Sequence, residues 1–95
     1  MTAAMETTRQ LILAQGYKLA EDALAEHGRL TFIHDDNADR PHLAALSHTL
    51  RYAGWQADDA VPPRYRLPGT RLIIEIEPGG SETSGHWLHL MDIAD

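Results

Sequence analysis

Six histidines, fourteen carboxylates and no cysteine set the range of chemistry open to this 95-residue chain. Without cysteine there is no disulfide, no thiolate metal site and no sulfur nucleophile. A metal would need imidazoles and carboxylates converging on one point. The histidines are His27, His34, His42, His48, His86 and His89. On a strand, His86 and His89 point to opposite faces. On a helix, His42 and His48 lie roughly 240° apart around the axis. No His-Glu-x-x-His pair is present. The local cluster His34-Asp35-Asp36, with His42 nearby, reads first as a strand end and a helix cap. An enzymatic reading would use His34, Asp36 and His89 and requires them to meet in one pocket. The residues imply neither a metal nor a cofactor.

Paired acids for proton transfer are no better defined. Glu75 and Glu77 share one strand face, and Asp35-Asp36 and Asp58-Asp59 have no partner fixed by spacing. The stretch Gly80-Ser81-Glu82-Thr83-Ser84-Gly85 lacks the pattern of a nucleophile elbow. It also lacks the lysine and following helix of a phosphate loop. It reads as a hairpin tip.

Arginine is the more suggestive residue type. Arg64, Arg66 and Arg71 fall in a segment, 61–74, that contains no acid. Residues 21–60 carry eight acids against three arginines, and residues 75–95 carry five acids with no lysine or arginine. The guanidinium fork suits carboxylate or phosphate. The strip 64–71 could therefore face an acidic or phosphorylated surface, or nucleic acid. The net charge of −6 weighs against nucleic acid, since that affinity rests on cations placed against phosphates. Pairing within the chain, to Glu75, Glu77 or the acids of the first helix, is the plainer reading.

These residues need elements to hold them. At 95 residues, 43% apolar and 23% charged, the chain reads as a single globular domain, 1–95. No run approaches the roughly 20 apolar residues of a membrane span. Met1–Glu6 has no basic and apolar leader pattern. A cytoplasmic location without membrane contact is expected. Leu13, Tyr17, Ala20 and Leu24 fit one face of a helix over about 5–27, capped by Thr7 or Thr8 and interrupted or split at Gly16. Arg29–His34 alternates as a strand. A second helix follows, with Asp39 near its cap, Pro41 in its first turn, Leu43, Leu46, Leu50 and Ala53 inward, and Gly54 as its stop. Residues 64–67 suggest a short edge strand, and Leu67-Pro68-Gly69-Thr70 a type II turn. Segments 71–77 and 86–93 form an antiparallel pair. The expected fold is α+β. It is a two-layer sandwich of two helices on a three- to four-stranded, mostly antiparallel sheet, in the order α-β-α-(β)-β-β.

The last pair of strands carries the functional expectation. Leu72, Ile74, Ile76, Leu88 and Leu90 share one face and make an ordinary core. The reverse face holds Ile73, Trp87, Met91 and Ile93 among Arg71, Glu75, Glu77 and His89. A water-exposed sheet face should be more polar. A helix of the chain, a second copy or another protein should cover it. The leading reading is a non-catalytic interaction module, a small inhibitor or regulator of another protein and a homodimer. Its contact residues are Ile73, Trp87, His89, Met91, Arg64, Arg66 and Arg71.

Overall fold

The computed structural model describes residues 3–34, 43–78 and 86–93. In chain order the elements are α1 (Ala3–Ala14), β1 (Tyr17–Ala23), α2 (Leu24–His27), β2 (Arg29–His34), α3 (Leu43–Tyr52), β3 (Gln56–Ala57), β4 (Tyr65–Arg66), β5 (Leu72–Pro78) and β6 (His86–Asp92). The six strands form one sheet in the order β1-β2-β6-β5-β4-β3. Every neighbouring pair is antiparallel. The class is α+β, as expected. The expected three to four strands become six, and the two helices three.

The largest departure lies in the first segment. The helix expected over 5–27 stops at Ala14, and Tyr17–Ala23 is a strand. Gly16 adopts φ 92° and its N–H donates to Leu13 O at 3.3 Å, which closes the helix. Glycine enters this region freely because it has no Cβ. Beyond it, Tyr17 and Leu19 alternate with Lys18 and pair with β2. The helical stripe drawn through Tyr17, Ala20 and Leu24 therefore does not exist. The inward face of α1 is Met5, Thr8 and Ile12. Thr8 is not a cap; its buried hydroxyl donates to Ala4 O at 2.8 Å, one turn back.

The other expected elements lie close to their expected bounds. α3 buries Leu46 and Leu50, whereas Ala53 is exposed. Its end is a Schellman closure: Trp55 N–H donates to Leu50 O at 2.9 Å and Gly54 N–H to Arg51 O at 3.1 Å. This closure folds Trp55 back into the core, where it is buried. The expected cap at Asp39 and the loop 79–85 lie outside the described residues. β4 pairs with β5 through Tyr65↔Ile74 and Arg66↔Ile73. Their turn has Gly69 at φ 81° and Thr70 N–H donating to Leu67 O at 3.2 Å, the type II pattern.

One core joins the helices to one sheet face. It contains Met5 and Ile12 of α1, Leu46 and Leu50 of α3, and Leu30, Phe32, Leu72, Ile74, Leu88 and Leu90 of the central strands. The ladder places those strand residues side by side: Leu30 pairs with Leu90, Phe32 with Leu88, and Ile74 with Leu90. The four-residue α2 buries no side chain and packs beside β1 and β2.

Gly28 locks α2 to the sheet. It has φ 65°, its N–H donates to Leu24 O, and its carbonyl accepts Asp92 N–H at 2.8 Å. A Cβ there would meet Asp92 O at 3.0 Å, whereas at Gly69 it would meet nothing within 4 Å. Both positions carry the left-handed penalty, about 1–2 kcal/mol for an L-residue. Gly28→Ala is therefore expected to lower the urea midpoint more than Gly69→Ala does. Equal losses would contradict the backbone contact.

Candidate functional site: the open face of the sheet

The β2–β6–β5 ladder sets out the face opposite the core row by row. In one row, Arg29 lies opposite Met91, Met91 opposite Ile73, and Ile73 opposite Arg66. In the next, Thr31, His89 and Glu75 are neighbours. Beyond them Trp87 pairs with Glu77. α1 and α3 both contribute to the core on the other side. The possibility that one helix covers each face is thereby removed for the described residues. Trp87 is 44% exposed and Ile93 39%. Ile73 and Met91 are half-buried by their neighbours in the sheet.

The three arginines of the strip differ in their surroundings. Arg64 meets Glu75 at 3.4 Å and Asp58 at 3.6 Å. Arg71 meets Asp92 at 3.3 Å. Arg66 makes no ion pair among the described residues. Pairing within the chain thus accounts for two of the three, and for Arg64 it includes the expected Glu75. Arg66 and Ile73 also stand between two shallow hollows, one lined by Thr70, Arg71 and Ile93, the other by Gln56, Asp58 and Arg64. Asp58 is fixed by backbone chemistry. The N–H groups of Arg64 and Ala60 donate to its carboxylate at 2.9 and 3.0 Å. These bonds, aided by the Arg64 charge, hold its carboxyl below the usual carboxylate range.

His89 lies in a polar array that the sequence does not reveal. Its Nδ1 is 3.0 Å from Thr31 Oγ1 and its Nε2 is 2.7 Å from Glu77 Oε2. Hydroxyl, imidazole and carboxylate in this order are the parts of a nucleophilic relay. However, Thr31 is only 4% exposed. It also sits on an interior strand whose backbone donors are taken by the ladders to β1 and β6, which leaves no oxyanion site beside it. The array acts as a polar clip across β2, β6 and β5. Finding it required the β2–β6 pairing, which no spacing in the sequence encodes. The same pairing adds Arg29 and Ile33 to the open face.

The remaining site residues of the enzymatic reading are not assembled here. The backbone of His34 pairs with Tyr17 at the end of β2; its side chain and Asp36 lie outside the described residues. Among the described residues no group of three or more histidines and carboxylates could hold a metal ion. No helix there is long and apolar enough to cross a membrane.

A second polar pair, part-buried, lies on the core side. The Tyr17 hydroxyl hydrogen-bonds His86 Nε2, with the two rings edge to face at 5.5 Å. Burial pushes the Tyr17 pKa up to about 12.

No family model, curated protein or solved structure matches this chain.

The Tyr17 environment gives a pH dependence with a definite sign. In the unfolded chain a tyrosine ionises near pH ~10. Between there and about 12 the unfolded state releases a proton that the folded state retains. Stability should be fully present below pH ~10 and fall through this window. Urea midpoints at pH 9, 10 and 11 measure it, and Tyr17→Phe should flatten the decline. An unchanged decline in that variant would show that the loss originates elsewhere.

Proposed function

We propose that this chain is a non-catalytic interaction module that binds through the open face of its sheet, with the role of a small regulator or inhibitor of another protein. The observation that carries the reading is the placement of α1 and α3 on one side. Ile73, Met91, Trp87 and Ile93 then lie on the other without a helix over them among the described residues. Burying such side chains fully is worth roughly 1.5–3 kcal/mol each. Exposed apolar groups rimmed by charge are the usual form of a docking surface; here Ile73, Met91 and Ile93 lie toward one end of the face and Trp87 toward the other, across the row of Thr31, His89 and Glu75. Tryptophan and arginine, present here as Trp87 and Arg66, are the residues that most often anchor interfaces.

The polar surroundings support binding over chemistry. The side chains with convergent polar contacts are used to hold strands together, as in Thr31–His89–Glu77. The hollows beside Arg66 are shallow and solvent-facing, unlike the enclosed clefts that bind small substrates. The charge pairs of Arg64 and Arg71 also weaken the nucleic-acid reading of the strip 64–71.

Photo-crosslinking in the producing cell tests the proposal. Trp87→p-benzoylphenylalanine should give a discrete adduct on irradiation. Tyr52→p-benzoylphenylalanine, placed at an exposed aromatic of α3, should give none. Adducts from position 52 and none from position 87 would sink the reading.

A further inference from the structure

We propose that the partner protein seats one carboxylate on Arg66 and aliphatic side chains beside it on Ile73, Met91 and Ile93. The face then recognises an acid set among aliphatic residues rather than an acidic run. The inference rests on the reading of the face as an interaction surface and names its partner's chemistry.

The charges around Arg66 single it out. Arg64 is held by Glu75 and Asp58, Arg71 by Asp92 and, across the sheet, Arg29 by Glu21 at 3.6 Å. Arg66 is exposed and makes no ion pair or side-chain hydrogen bond among the described residues. The carboxylates of the adjoining segments are already in use. Lys18, also without an ion pair among the described residues, stands on the outer strand β1 at the opposite side of the sheet.

This arrangement selects a carboxylate. The guanidinium offers a planar fork of donors that meets a carboxylate through two parallel bonds. One free positive charge matches one carboxylate. A phosphate dianion or a nucleic-acid strand needs further cations, and the neighbouring ones are neutralised by Glu75, Asp58 and Asp92. The chain's net charge of −6 repels a long acidic run.

The ladder supplies the aliphatic part of the contact. Ile73 pairs with Arg66 on one side and Met91 on the other. Neighbouring strands stand about 4.8 Å apart, so the three side chains form one short row. Ile93 lines the same hollow as Arg66 and Ile73. An ion pair left in water contributes little. Apolar groups closing around it exclude water and strengthen the attraction. Acid and aliphatic residues are therefore required together. Trp87 lies beyond the row of Thr31, His89 and Glu75, so this anchor uses only the Ile73 end of the face.

Selection from a displayed library of random peptides, with the folded chain as bait, tests the proposal. Wild type should enrich peptides carrying Asp or Glu between aliphatic residues. Arg66→Glu should enrich Lys or Arg in the same setting, a reversal that a merely structural change does not produce. Circular dichroism checks that the variant remains folded. A synthetic peptide from the wild-type selection should bind Arg66→Glu about tenfold or more weakly, and glutamine in place of its acid should remove that difference. Enriched peptides without an acid, the same acidic peptides from both baits, or no enrichment overturn the inference. Tighter binding with phosphoserine in place of the acid overturns it as well. The crosslink from position 87 separates the failures. A discrete adduct there with any of these results rejects the carboxylate anchor and keeps the binding face, whereas no adduct and no enrichment reject both.

Discussion

Side-chain alternation along β5 and β6 is the constraint on which the rest of this structure depends. A strand must send successive residues to opposite faces, and these two strands place large apolar groups on both. Leu72, Ile74, Leu88 and Leu90 form the floor of the core, beneath α1 and α3. Ile73, Trp87, Met91 and Ile93 follow from the same pleat and cannot be turned inward without turning the core outward. With both helices committed to one side, the second side has no cover from them.

The polar groups of the open face reinforce this division. Thr31, His89 and Glu77 join three strands by hydrogen bonds, so the central sheet is tied on its uncovered side as well as by its core. Arg64 and Asp58 hold the approach to β4 against β5. On the core side, Tyr65 hydroxyl donates to Ser47 Oγ at 2.7 Å and ties β4 to α3. The result is a sheet whose exposed surface is rigidly supported. Rigid presentation of side chains lowers the ordering cost of association.

Much of this arrangement was legible in the sequence. The alternation in 71–77 and 86–93 fixes which side chains share a face, and Pro68-Gly69 marks the turn after the short strand at 64–67, although an L-Pro-Gly pair does not by itself specify the β4–β5 hairpin. The α3 stripe and its closure at Gly54 were equally plain. Two features were not. Tyr17–Ala23 has a helical stripe as well as a strand alternation, and a short segment of this type is decided by what it can pair with. The neighbour of β2 was also hidden, because the contact of β2 with β6 spans about sixty residues and leaves no local trace. The Thr31–His89–Glu77 array and the place of Arg29 on the face depend on that contact. Among the arginines, position is readable from the sequence but pairing is not, so Arg66 could not be told apart from Arg64 and Arg71.

Oxidative footprinting at dilution addresses the uncovered face most directly, because the chain carries its own controls. Trp55 and Met5 are buried in the core, whereas Trp87 and Met91 lie on the opposite face. At concentrations low enough to separate any complex, hydroxyl radicals should modify Trp87 and Met91 well before Trp55 and Met5. Equal protection of Trp87 and Trp55 in the isolated monomer would mean that the chain covers both faces itself, and would contradict the account.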